Sequence, residues 1–215
     1  MSTFPVSPPP KAASTSRARR LNSKQRLAVA VAAILVLASF AFPLWFLHLK
    51  APQYPETLNL YVYAHKFEGS GNPVIDDIAE INTLNHYIGM REIHEEDFPE
   101  LKWMPIALGI SVALLGLAAA LASPLGLAAS VALLTVTGAT GLSSAYFRLY
   151  QYGQNLDPDA PLKIPGFTPP LIGSNKLVNF MTYGYFGLGG YMLILAWGLT
   201  AVALFVYFRN RKRPA

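Results

Sequence analysis

The side chains with the widest chemical reach fall in one short stretch, Asn82-Thr83-Leu84-Asn85-His86-Tyr87-Ile88-Gly89-Met90, followed by His94. Imidazole and thioether donors suit copper better than hard cations. On a continuous helix His86, Met90 and His94 recur every four residues on one face, so they are the candidate metal ligands, with copper the candidate cofactor. Gly89 opposes that reading, because glycine often closes a helix. The alternative is that Asn85, His86 and Tyr87 form hydrogen bonds that pack an outer module onto a membrane surface. His48 and His65 read as structural, one as an interfacial ring and the other on the polar face of a strand. The chain has no cysteine, which excludes disulfides, thiolate-held iron–sulfur clusters and thiolate nucleophiles.

A second stretch runs from Tyr150 to Gly173 and carries Asp157, Pro158, Pro161, Pro165, Pro169 and Pro170. Prolines stiffen an extended backbone and reduce the entropy lost when it docks, so this segment looks built to lie on a surface. That surface is either a partner or the chain's own helix ends. Asn85, Tyr87, Asp157, Pro161, Pro169 and Pro170 are accordingly the candidate interaction surface. The loop around 161–170 is expected to pack against the segment containing His86.

The elements that must position these residues are set by hydropathy. With 53% hydrophobic residues and only 13% charged ones, the composition lies outside the usual range of soluble domains. Residues 27–47 contain no charged side chain and are numerous enough, at 1.5 Å per residue, to cross roughly 30 Å of hydrocarbon. Residues 103–146 form two further spans separated at Ser123-Pro124, and 180–208 form a fourth. The expected class is a membrane all-α protein, with four transmembrane helices, a small extracytoplasmic α+β module at 48–102 and a Pro-rich extracytoplasmic loop at 147–179. Residues 1–26 read as a disordered basic tail and 209–215 as a second basic tail.

Arginines and lysines gather before the first span and after the fourth, which puts both ends in the cytoplasm of a bacterial inner membrane and both polar segments outside. The same clustering explains a net charge of +5 without nucleic acid; membrane lipid and protein partners in the membrane or periplasm are the expected contacts. The outer module holds ten of the twelve acidic residues against four basic ones, so it is locally acidic. Within it Leu58, Leu60, Val62 and Ala64 alternate with polar or aromatic residues, the pattern of a strand. Asn72 before Pro73 reads as the cap of a helix running to about Tyr87.

Except near their ends, where Arg148 is expected at or just beyond the outer interface, the spans lack the ionisable residues that ion and proton pathways leave behind, and no hydrolase triad context, HExxH or GxxxxGK occurs. Small residues at Gly109, Ala113, Gly116 and Ala120, and at Gly184, Gly187 and Gly190, are expected to permit close helix packing. The expectation is a protein that is not an enzyme.

Three pieces, Ala51-Pro52-Gln53-Tyr54-Pro55, Leu84 to Met90, and Asp157-Pro158 through Pro169-Pro170-Leu171-Ile172-Gly173, resemble a small family of bacterial membrane proteins. That family is associated with gene neighbourhoods for nitrous oxide reductase and its copper-handling accessory proteins. The resemblance spans roughly residues 27–205. It implies an accessory protein that supports maturation of, or electron supply to, a periplasmic copper enzyme; the alternative is a small structural subunit of a membrane respiratory or transport complex. A membrane enzyme acting on lipid or quinone is a third class, without a visible catalytic set.

Overall fold

The computed structural model describes residues 20–177 and 179–211. Most of the two expected tails, 1–19 and 212–215, therefore lies outside the described residues. Four helices are long and apolar enough to cross a membrane: α1 (Ser23–Ala38, extended by a 3-10 turn at Ser39–Ala41), α3 (Glu100–Leu121), α4 (Pro124–Gln154) and α5 (Leu188–Arg211). Large apolar side chains such as Leu27, Ile34, Leu125 and Phe205 point outward on them. Such helices are hydrophobic on both the packed and the outward side, as membrane spans are.

The helices start and stop where local chemistry requires it. Asn22 caps α1 through a reciprocal box with Gln25, so Lys24 and Arg26 belong to the helix rather than to a tail. Between α3 and α4 the chain turns at Ala122, in the left-handed region at φ 52°, and Ser123 accepts the Gly126 amide with Pro124 at the first helical position. That is the expected turn. The Leu21 amide donates to Ala122 O and Arg26 Nε to Ala119 O, so the start of α1 and the α3–α4 turn share one end of the bundle. With 31 residues α4 reaches about 46 Å, longer than the roughly 30 Å a bilayer core needs. It runs to Gln154 rather than Tyr146 because nothing breaks it before Pro158.

At the opposite end stands an open antiparallel sheet of order β3-β2-β1-β5-β4. Its strands are β1 (Trp45–Lys50), β2 (Leu58–Val62), β3 (Phe67–Glu68), β4 (Gly173–Leu177) and β5 (Phe180–Phe186). β2 is the strand the alternation predicts. β1 and β5 correct the expected spans, for the first helical element stops at Ala41 and the last begins at Leu188. Pro43 cannot continue a helix, and beyond it Trp45, Leu47 and Leu49 turn inward while Phe46, His48 and Lys50 alternate outward. The module is thus not confined to 48–102. Its central strands come from the ends of the apolar runs.

The helix α2 (Asp77–Tyr87) packs on the inner face of the sheet, where Leu47, Leu49, Leu58, Leu60, Ile81 and Leu84 form a core separate from that of the bundle. Its cap is Asp76 rather than Asn72, whose side chain instead accepts the Val74 amide in a local turn. Asp77 is buried and accepts the Ser70 amide at 2.5 Å, tying down the turn before the helix.

Bundle and sheet meet where α1 passes into β1 and β5 into α5. Gly187 N donates to Leu44 O at 2.9 Å and Gly189 N to Pro43 O at 3.0 Å. The expected helix packing of Gly184, Gly187 and Gly190 is corrected here, for each comes close to non-helical backbone, at Pro170, Pro43 and Leu44 respectively. A Cβ on Gly187 would stand 2.1 Å from Pro43 O. Gly109 and Gly116 differ from expectation, because nothing lies within 4 Å of where their Cβ atoms would be. Gly187→Ala should therefore destabilise the protein by about 1–3 kcal/mol, read as a lower thermal midpoint in detergent. Gly198→Ala, at a helical position with open space, should not lower it.

Candidate functional site

The segment that holds the candidate ligands begins inside α2 and leaves it after Tyr87. Gly89 takes φ +79° and closes the helix, so the four-residue spacing of His86, Met90 and His94 no longer stacks them on one face. His86 and His94 are exposed, and His94 Nε2 stands 3.1 Å from Glu92, whereas Met90 is half-buried and faces a cavity behind the sheet. Among the described residues no group of three or more His, Cys, Asp or Glu side chains is placed to hold a metal ion. The three donors do not fit a copper site, because two face outward and the third faces the interior.

The asparagines of this segment clamp it. Asn82 Oδ1 accepts from Ile93 N at 2.7 Å while its Nδ2 donates to Ile93 O, and Asn85 Nδ2 donates to Arg91 O. Asn85, named for the interaction surface, is itself buried at 5% exposure; Tyr87 remains exposed.

The Pro-rich segment closes over this corner. Asp157 N donates to Gly89 O at 2.8 Å and Leu162 N to Tyr87 O at 3.1 Å. Ala160 lies so close that a Cβ on Gly89 would stand 2.9 Å from it. The packing is thus made mainly by 157–160, ahead of the expected 161–170 stretch, of which Leu162 alone bonds to this corner; Asp157 and Pro161 are exposed on its rim. Farther on the chain folds back on α4 and the sheet: Phe167 N donates to Gly153 O, and Trp45 Nε1 donates to Leu171 O at 2.6 Å. Pro169 is buried there and Pro170 half-buried, so these two lie under the segment rather than on its surface.

The outer face of the sheet is the feature that sequence reasoning missed. Register places Phe46 between Tyr61 and Tyr185, and His48 between Asn59 and Tyr183. Phe46 and His48 have ring centroids 4.7 Å apart, Phe46 and Tyr185 5.8 Å, and His48 meets Tyr61 edge-on at 6.1 Å. All are partly exposed. The signal was the two-residue alternation of Phe46 with His48 and of Tyr183 with Tyr185, hidden because both pairs continue apolar runs. Tyr54, linking β1 to β2, donates to Glu80 of α2 at 2.5 Å; burial and that carboxylate push its hydroxyl up to about 12.

Burial among these rings lowers the pKa of His48. The unfolded imidazole therefore holds its proton to a higher pH than the folded one, and protonation favours unfolding. Stability from this group is complete above the ordinary imidazole value of about 6.5 and falls as pH drops below it. Thermal midpoints measured between pH 5 and 8 should decline on the acid side, and His48→Gln should reduce that decline. An unchanged profile in the variant would remove His48 as the cause. In comparison with known proteins, no family model matches this chain, and no curated protein matches it.

Proposed function

We propose that the chain is a non-enzymatic accessory protein of the bacterial inner membrane that presents a rigid docking surface outside the cell membrane. The observation that carries this reading is the aromatic outer face of the sheet, around Phe46, His48, Tyr61, Tyr183 and Tyr185. Tyrosine and other aromatic residues are enriched at protein interfaces and supply much of their binding energy. The surface is stiff because β1 and β5 continue directly from spanning helices. Lysine and arginine at both chain ends favour cytoplasmic termini, which puts the sheet and α2 on the outer side.

The partner supported by the resemblance is a periplasmic copper enzyme such as nitrous oxide reductase, aided in maturation or electron supply. Docking rather than copper holding is the role the geometry supports, since His86, Met90 and His94 share no face. A second reading, a small subunit of a larger membrane complex, draws support from Gly109 and Gly116, whose open side would let a partner helix approach α3 closely.

Reporter fusions after Arg213 should read as cytoplasmic, and fusions at Ser70 or Lys163 as external; a cytoplasmic signal at Ser70 contradicts the orientation. Purification in mild detergent should retain the copper enzyme. A Phe46→Ser, Tyr185→Ser double variant should lose it at unchanged protein level, whereas His86→Ala should keep it. Equal recovery with the double variant would rule out the sheet face as the docking surface.

A further inference from the structure

Outward side chains of β4, β5 and β1 stand in three rows. Tyr185 lies beside Phe46, then Ser174, Tyr183 and His48 form a second row, and Lys176, Met181 and Lys50 a third. The face therefore changes from aromatic next to the bundle to cationic at its far end. Lys50 and Lys176 are exposed and flank Met181 two strands apart, which separates their Cα atoms by about 10 Å. Neither ammonium has a hydrogen-bond or ion-pair partner among the described residues.

The rest of the outer module has the opposite sign. Between Asp76 and Asp97, from the cap of α2 to the turn before α3, seven acidic side chains stand against Arg91 alone. Asp157 and Asp159 belong to the segment that closes the end of α2. Of the remaining acidic residues, Glu68 pairs with Lys66, Glu56 meets Asn72, and Glu100 pairs with Arg148. The strands β1, β4 and β5 carry no acidic residue. Because α2 packs on the inner face, its carboxylates lie across the sheet from the two lysines. An acidic body approaching from outside is repelled on the α2 side and attracted at the lysine row. Lipid headgroups fit this pattern poorly. Trp45, Leu60 and Val62 of the inner face share a cavity with Leu108 and Leu134 of the bundle, so the outer face turns away from it. The lysine row also stands about 13 Å beyond the Phe46 row, farther than the roughly 5–7 Å depth of a headgroup layer.

We propose that the partner docked on this face is an acidic protein surface, with carboxylates about 10 Å apart meeting Lys50 and Lys176 and an apolar side chain between them on Met181, Tyr183 and Phe46. Exposed charge pairs add little affinity each, but they steer the encounter and fix orientation. The aromatic rows supply the contact area that holds the complex. The proposal rests on the docking role given to this face above and adds the chemistry of what docks.

The test uses the full chain in phosphatidylcholine nanodiscs and two soluble probes. One is a synthetic β-hairpin with two glutamates about 10 Å apart beside a tryptophan, with a lysine version as control; the other is nitrous oxide reductase. The acidic hairpin should bind more tightly than the lysine one. Lys50→Glu with Lys176→Glu should weaken it at least tenfold, whereas Lys66→Glu with Lys163→Glu, the same change in net charge, should leave it nearly unchanged. Basic residues at the chain ends also attract an acidic probe, so a photoreactive group on the hairpin locates it on the unmodified chain, with adducts expected within 45–61 or 173–186. Equal affinity for the two hairpins, adducts confined to other segments, or unchanged affinity after the Lys50 and Lys176 reversal would overturn the proposal. Enrichment of phosphatidylglycerol around the chain in mixed-lipid nanodiscs, abolished by that same reversal, would assign the face to anionic lipid and overturn it equally. The reductase separates the two readings. Hairpin binding at this face without capture of the reductase keeps the acidic chemistry and removes the copper enzyme as partner. Capture of the reductase that is lost in Phe46→Ser, Tyr185→Ser but indifferent to the lysine reversal keeps the docking face and overturns the acidic chemistry.

Discussion

Everything outside the bundle depends on one backbone splice, in which Gly187 N and Gly189 N bond to the carbonyls of Leu44 and Pro43. It joins the two places where a long apolar helix passes into or out of a strand, so β1 and β5 leave the bundle already paired. Backbone groups freed by the break at Pro43 would otherwise lack partners near an apolar surface, where an unsatisfied amide is costly. The Leu44 amide is met in the same way, by Val62 O at 2.7 Å. Side chains are excluded from the joint because the two chains approach too closely for a Cβ.

From this joint the remaining geometry follows in order. With β1 and β5 fixed as neighbours, β2 and β3 add on one side and β4 on the other, and one face of the sheet must find cover. α2 provides it through Ile81 and Leu84. The Pro-rich segment then closes the corner where α2 ends, using the carbonyls of Tyr87 and Gly89 that the helix C-terminus leaves free. Among the described residues nothing of the kind covers the opposite face of the sheet, whose aromatic side chains are partly exposed. The cavity arises from the same construction. α4 continues past the bundle to meet the Pro-rich segment, and the space between its upper half, α5 and the sheet is left unfilled.

The sequence was most legible where one physical rule acted alone. Hydrophobic length located four helices long and apolar enough to cross a membrane, and alternation located Leu58–Val62, since a half-buried strand must place successive side chains on opposite faces. Legibility failed where an apolar run changed conformation without changing hydropathy. Trp45–Lys50 and Phe180–Phe186 are apolar enough to extend a helix, and periodicity alone separates a short buried strand from a helix end poorly. Pro43 and Gly187 were the local marks of the change. The cap of α2 lies four residues beyond the expected Asn72, because Asp76 accepts the Ile78 and Ala79 amides whereas Asn72 accepts the Val74 amide in a local turn. The Glu100–Arg148 pair joins residues 48 positions apart and left no periodic trace.

The central claim is that the first apolar run ends as a strand outside the bundle rather than as the last turns of a membrane helix. Because the chain contains no cysteine, single cysteines at positions 45 to 50 can be labelled with a water-soluble thiol reagent in intact membranes. The account predicts a period of two, with labelling at positions 46, 48 and 50 and protection at 47 and 49. Uniform protection from 45 to 48, or a period near 3.6, would contradict it.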